Sequence, residues 1–233
     1  MRVADEIVLP GVSPPRKPEG GYRLIEVSLL ARAWWSYRSG EIGIEGLRTW
    51  FACHEAVATR CRLEAGRAPM YSVGQIQRLT GIPEKRLRAA LRRLEQAGLL
   101  VFSESEIKFP APSEGQGGLS PEGFAAFFAE LPNRNRRVPV PRRTIRLLAG
   151  GAAMSLIATV LGHLLRCLYY RNGGCESCGT CKASWIAETF GISLRAAKAA
   201  RKHLVDLKWL LPTPTPQWRM NRYGLAMTVN LVS

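Results

Sequence analysis

Two stretches of this chain, 110 residues apart, carry the same pattern. Residues 72–102 read SVGQIQRLTGIPEKRLRAALRRLEQAGLLVF, and residues 182–212 read KASWIAETFGISLRAAKAARKHLVDLKWLLP. Without a gap, Ile76 falls on Ile186, Gly81 on Gly191, Ile82 on Ile192, Ala90 on Ala200, Leu94 on Leu204 and Leu100 on Leu210. The glycine stops a short first helix, because only glycine enters the left-handed turn without a steric cost. Beyond it, Leu87, Ala90, Leu91 and Leu94 recur at the three-and-four spacing of a one-sided buried stripe. Each copy then closes on an apolar run with strand character. The spacing therefore predicts short helix, tight turn, basic second helix and strand, twice over.

That order is a helix-turn-helix leading into a wing. The expected fold class is α+β, with two tandem winged helix-turn-helix domains related by the internal repeat. Residues 1–21, rich in Pro, Gly and basic residues, read as an N-terminal arm, and residues 22–110 as the first domain. In it, a helix over Ile44–Leu63 aligns Leu47, Trp50, Phe51, His54 and Ala58. Ser72 is placed to cap the next helix, and Pro83 suits the first turn of the one after. Gly98 ends that helix, and Leu99–Phe102 with Ile107–Phe109 make a short hairpin. Residues 111–133 read as a linker in which Gly123–Leu131 has the pattern of a brief helix. Residues 134–233 form the second domain. It opens on an extended arm with six arginines in 134–146, interrupted by Pro139 and Pro141. Helices over Ala153–Tyr170, Ala183–Phe190 and Ser193–Leu207 follow, with Ser193 as the last N-cap. Pro212–Gly224 becomes a long wing tip, and Leu225, Met227, Val229 and Leu231 alternate as a returning strand.

Charge is spread unevenly between the halves. The net +15 divides into 16 Lys/Arg against three acids from Arg134 onward, and 17 against 15 before it. Such asymmetry points the C-terminal half at a polyanion, and the near-neutral half at something further. Nucleic acid is the economical polyanion; an anionic membrane is the rival. The 19 residues Leu147–Leu165 carry no formal charge, but their glycines, Ser155, Thr159 and His163, and their place in the repeat, make them a buried helix rather than a span. The N-terminus lacks the apolar run of a secretory signal. With 46% hydrophobic residues, the chain has material for cores of its own.

An α-helix fits the major groove, where Arg and Lys donate to guanine or neutralise phosphate. The expected double-stranded DNA contacts in the second copy are Arg195, Lys198, Arg201 and Lys202, with Arg195 and Lys198 nearest the base-reading end. In the first copy they are Lys85, Arg86, Arg88 and Arg92; Glu84 and Glu95 nearby leave room there for a self-association role. Arg134, Arg136, Arg137, Arg142 and Arg143 read as a backbone-contacting arm, and Arg219 and Arg222 as wing contacts. The bland alternative is that these are solvated basic surfaces.

Six cysteines occur, and nothing suggests export, so a reducing cytoplasm is expected rather than a disulfide framework. Cys175, Cys178 and Cys181 lie within seven residues, with Cys167 upstream. Thiolates brought together by turns suit tetrahedral Zn2+ or an iron–sulfur cluster, with His163 as an alternative fourth ligand; chance clustering without a metal is the third reading. Cys53 and Cys61 have the look of core or spare surface thiols.

From Tyr22 onward the plan resembles tandem winged-helix DNA-binding proteins, and among them plasmid replication initiators, which have two related winged-helix domains in a chain of about this size. The resemblance implies that the C-terminal domain binds directly repeated origin sites through Ser193–Leu207. It implies that the N-terminal domain, through Pro83–Leu94, adds dimerisation and further DNA contact; self-association, or replication or mobile-element proteins, are the partners expected for that half. The cysteine loop departs from that pattern and leaves a metal- or redox-sensing transcription regulator open. An adaptor or architectural protein is a third class. No P-loop or paired-carboxylate pattern occurs, and His54, His163 and His203 lack nucleophile partners, so an enzyme is not expected.

Overall fold

A computed structural model of the chain describes residues 18–60, 72–103, 106–110, 121–171 and 174–231. The chain begins with strand β1 (Tyr22–Glu26), which runs directly into helix α1 (Val27–Arg38). Helices α2 (Ile44–Arg60), α3 (Val73–Thr80) and α4 (Glu84–Gln96) follow, then strands β2 (Val101–Phe102) and β3 (Ile107–Lys108). After α5 (Pro121–Ala129) the order resumes with β4 (Arg137–Pro141), α6 (Arg142–Ala149) and α7 (Met154–Cys167). Next come β5 (Tyr169–Arg171), β6 (Gly174–Glu176), β7 (Cys178–Thr180), α8 (Ala183–Phe190) and α9 (Leu194–Asp206). The chain closes with β8 (Leu210–Pro212), α10 (Gln217–Tyr223) and β9 (Ala226–Val229). The fold is mixed α+β: helices with small antiparallel sheets, β1–β4, β2–β3, β5–β6 and the three-stranded β7–β9–β8.

Local chemistry explains the boundaries in both repeats. Ser72 Oγ accepts from Gln75 N at 3.2 Å to start α3, and Ser193 Oγ accepts from Ala196 N at 3.1 Å to start α9; each satisfies an N–H that the first turn leaves without a helical partner. Gly81 and Gly191 end α3 and α8 at φ 68° and 67°, the left-handed conformation that a Cβ would strain. At the far end, Leu99 N donates to Leu94 O and Trp209 N to Leu204 O, both at 2.9 Å. These bonds place Gly98 and Lys208 at φ 63° and 55°.

The two halves share one core. Residues 22–26 and 137–141 pair antiparallel with Leu24 opposite Pro139. The ladder is extended at both ends by equivalent bonds of 3.1 Å, Val27 N to Arg136 O and Arg142 N to Gly21 O. Pro139 and Pro141 fit because β4 has β1 as its single partner strand, so the missing N–H groups break no second ladder. Trp34 of α1 meets Phe190 of α8 edge-on, with ring centroids 5.4 Å apart. Beneath α6, Arg142 forks onto the buried Glu55 of α2, with Nη2–Oε1 at 2.6 Å and Nε–Oε2 at 3.1 Å.

Several expectations are corrected here. The arginine-rich stretch is not an extended arm throughout: it becomes helix α6 from Arg142, since the restriction proline imposes ends with Pro141 at the N-cap. Leu147–Leu165 is two helices rather than one, broken at Gly150-Gly151 where Gly151 takes φ 116°. Helix α7 stops at Cys167 because Leu168 turns extended, φ −114° and ψ 119°, and leads into β5. The wing tip is not an open loop but contains α10. Among the described residues no helix is long and apolar enough to cross a membrane. The arm through residue 17, Cys61 and the linker through residue 120 lie outside the described residues.

Candidate nucleic-acid interface

Helix α9 is two-sided. Ala197, Ala200 and Leu204 are buried, and on the opposite side Arg195, Lys198 and Lys202 are exposed. At 100° per residue those two sets lie half a turn apart. The buried side is seated against α7 and α8, which fixes the outward row. Arg201 belongs to neither side: its guanidinium turns inward and donates to the Cys181 carbonyl at 2.6 Å. Burial lowers its pKa, against the opposing pull of the nearby Cys181 and Cys167 thiols.

Helix α4 repeats the arrangement. Leu87, Ala90, Leu91 and Leu94 are buried, while Lys85, Arg86, Arg88 and Arg92 are exposed. Two of those cations are answered by acids. Arg86 lies 2.5 Å from Glu45, and Arg88 lies 2.7 Å from Glu84, one helical turn away. Lys85 and Arg92 have no ion-pair partner among the described residues.

The arginines of 134–146 do different things. Arg134 and Arg137 are exposed, Arg137 at 3.5 Å from Glu26 across the ladder. Arg136 folds back over the Tyr169 ring at 4.1 Å and reaches the carbonyls of Leu168 and Leu165, capping the end of α7. Arg142 is committed to Glu55. Arg143 is half-buried, and burial lowers its pKa, with Glu19 opposing. On α10, Arg222 is exposed with its guanidinium 5.1 Å from the Tyr223 ring, and Arg219 is half-buried. Sequence reasoning missed α10 itself and the partners of Arg136 and Arg142. The signal for α10 was present: Pro216 ahead, Gly224 behind, and Trp218 and Arg222 one turn apart between them.

The metal-centre expectation is overturned. Cys167, Cys175, Cys178 and Cys181 are all described, and among the described residues no group of three or more His, Cys, Asp or Glu side chains could hold a metal ion. The chain changes sheets at Ser177, so Cys175 lies in the β5–β6 ladder opposite Tyr170, whereas Cys178 pairs with Thr228 in β7–β9. Proximity in sequence therefore does not become a shared cage, and neither Zn2+ nor an iron–sulfur cluster is supported. Burial raises the pKa of Cys167, and that of Cys181 to about 12. His163 turns its Nδ1 to the Thr159 carbonyl at 2.7 Å, inside α7. Gly179 explains part of the loop's composition: β7 crosses the end of α7 so closely that a Cβ there would lie 2.9 Å from Cys167 Cα.

No protein-family model, no curated protein and no solved structure matches this chain, so what it does must be argued from these side chains.

Proposed function

We propose that this chain is a sequence-specific double-stranded DNA-binding protein built on two winged helix-turn-helix units, one spanning α2–β3 and the other α7–β9. The observation that carries the reading is the outward row Arg195, Lys198 and Lys202 on α9. It is a helix face of three cations, none in an ion pair among the described residues, with Asp206 one turn beyond Lys202 at its C-terminal end, opposite a packed apolar face. Such a face supplies donors for guanine O6 and N7 together with phosphate neutralisation. Lys85, Arg88 and Arg92 occupy the equivalent positions on α4, and Arg134, Arg137 and Arg222 extend the basic surface. Arg136, Arg142 and Arg201 are spent inside the protein, and the reading does not rest on them.

The role proposed is initiation of replication of a plasmid or mobile element, following the resemblance of the repeat to such initiators; it takes the second unit as the reader and the first as a lesser contact or docking site. Selection of bound fragments from a random duplex library tests both levels. A recovered motif arranged as direct repeats supports the initiator; a palindromic promoter-like motif replaces it with a regulator. Salt-sensitive binding that enriches no sequence replaces both with an architectural role.

A further inference from the structure

Helix α10 interrupts the hairpin between β8 and β9, and it is held rather than dangling. Lys182 Nζ donates to the Asn221 carbonyl at 3.2 Å. Gly224, at φ 94°, passes so near α8 that a Cβ would lie 2.8 Å from Lys182 Cγ. At the other end, Thr215 Oγ1 donates to Thr213 O at 2.8 Å and accepts from Ala226 N at 3.0 Å. On this fixed platform Trp218 is 64% exposed, the most exposed large apolar side chain among the described residues. Trp34, Trp50 and Trp209 are all buried. Arg222 lies one helical turn from Trp218, and exposed Tyr223 is beside it. From residue 207 to the end the sequence holds no acid.

An exposed indole contributes nothing to the core, and its surroundings select a flat, apolar, anionic partner. Bases stacked on aromatic rings beside phosphate-binding arginines are that partner. Width rules out the minor groove for α10, and the major groove, wide enough for a helix, is the one that α9 takes in the reading above. A helix is about 10–12 Å across, and the B-form minor groove, the groove a wing follows, is about 6 Å wide. Helix α10 cannot enter an intact minor groove, whereas an unpaired strand can lay its bases on it.

We propose that the exposed face of α10 binds single-stranded DNA, with Trp218 stacking on an unpaired base and Arg222 and Arg219 engaging the flanking phosphates. The assignment rests on the DNA-binding reading above and adds a second, strand-separated substrate to it.

The test is fluorescence anisotropy at low salt with a labelled oligothymidylate and, separately, with a labelled duplex of genomic fragments, on the full chain. Trp218→Ala should weaken single-strand binding about tenfold or more, from a stacking contribution of about 1–3 kcal/mol per base. Trp218→Phe should recover part of the loss, and duplex binding should change less than about twofold. Unchanged thermal melting certifies the variants, since Trp218 lies outside the core. Single-strand binding unaffected by Trp218→Ala, with duplex binding intact, overturns the inference and leaves the DNA-binding reading standing. Failure of the wild-type chain to bind either oligonucleotide overturns both. Loss on Trp218→Ala of binding to phosphatidylglycerol vesicles, with no effect on oligonucleotides, overturns the inference in favour of a membrane surface.

Discussion

The two repeats keep the same bonds and differ in what those bonds carry. Both have a left-handed glycine after the short helix, and both close the second helix with the same backbone hydrogen bonds. Lys85, Arg88 and Arg92 in the first correspond to Arg195, Lys198 and Lys202 in the second. Yet Arg88 is answered by Glu84, and Arg86 by Glu45, while the α9 row makes no ion pair among the described residues, with Asp206 only at its C-terminal end. Where α4 has the buried Leu91, α9 has Arg201, which the Cys181 carbonyl accommodates. At the first hairpin Ser103 N donates to the carbonyl of the acidic Glu106 at 2.9 Å; the second holds α10 with Trp218 and two arginines. The scaffold bonds tolerate wide changes in charge, so one copy can be a reader while the other is turned partly toward its own protein.

The largest effects should come where the halves meet. Glu55 is 4% exposed and Arg142 15%, so removing the arginine leaves a desolvated carboxyl group that the more distant Arg146, at 3.5 Å, answers less well. Arg142→Ala should cost about 3–5 kcal/mol in denaturant unfolding, and less in a Glu55→Gln background. Equal losses in both backgrounds would deny the coupling. Each half also buries one histidine. His54 accepts from Arg23 Nε at 2.8 Å, and its pKa is lowered by burial and then by Arg23; His163 is lowered to about 3 by burial first, then by Arg201. Both are therefore neutral when folded and take up a proton on unfolding. Their stabilising effect is complete above the unfolded value of about 6.5 and declines as pH falls toward about 3 for His163, by up to about 1.4 kcal/mol per pH unit for each. Melting temperature measured from pH 8 to 5 should fall on the acid side, and a flat profile would show that the histidines are not buried neutral.

On DNA, the comparison predicts unequal repeats. Arg195→Ala or Lys198→Ala should reduce preference for the selected site by about 1–3 kcal/mol per lost base contact. Arg88→Ala should do less, since Glu84 already holds that guanidinium, and as an exposed pair it adds little to stability. Arg134→Ala and Arg137→Ala should weaken all duplexes alike and lower the salt dependence. Equal specificity losses from α4 and α9 would erase the distinction between reader and helper.

What was legible in the sequence was local and periodic. Ser72, Gly81, Ser193 and Gly191 announce helix ends through backbone chemistry that acts within four residues, and the buried stripes of α4 and α9 follow from spacing alone. What was not legible was non-local. Nothing near Arg142 indicates that Glu55, 87 residues earlier, will neutralise it, or that Arg136 will cap α7. The cysteine loop misled for the same reason: the spacing of Cys175 and Cys178 is that of a ligand pair, but the switch of sheets at Ser177 separates their surroundings. Composition alone points Arg201 outward, although its position corresponds to Leu91, a core leucine.

The smallest predicted effect is the most direct test of whether the repeats share a scaffold. Gly98 and Lys208 take the same left-handed conformation, and both carbonyls are taken by distant donors, Arg32 Nη2 at 3.4 Å and Asn230 Nδ2 at 2.9 Å. Lysine at that φ carries strain of roughly 1–2 kcal/mol, whereas glycine there loses about 0.4–1 kcal/mol through the freedom it gives the unfolded chain. Strain outweighs that freedom, so Lys208→Gly should stabilise by about 0.5–1 kcal/mol, and Gly98→Lys should destabilise by a similar amount. Measured together, the two changes should nearly cancel, as independent sites do. Lys208 also stands exposed at the foot of the basic hairpin. If Lys208→Gly raises the melting temperature but weakens duplex binding, the second repeat holds a strained cation there for the sake of binding. If stability rises with binding unchanged, the lysine is a tolerated departure from the glycine of the first repeat, and the division between reader and scaffold must rest on α9 alone.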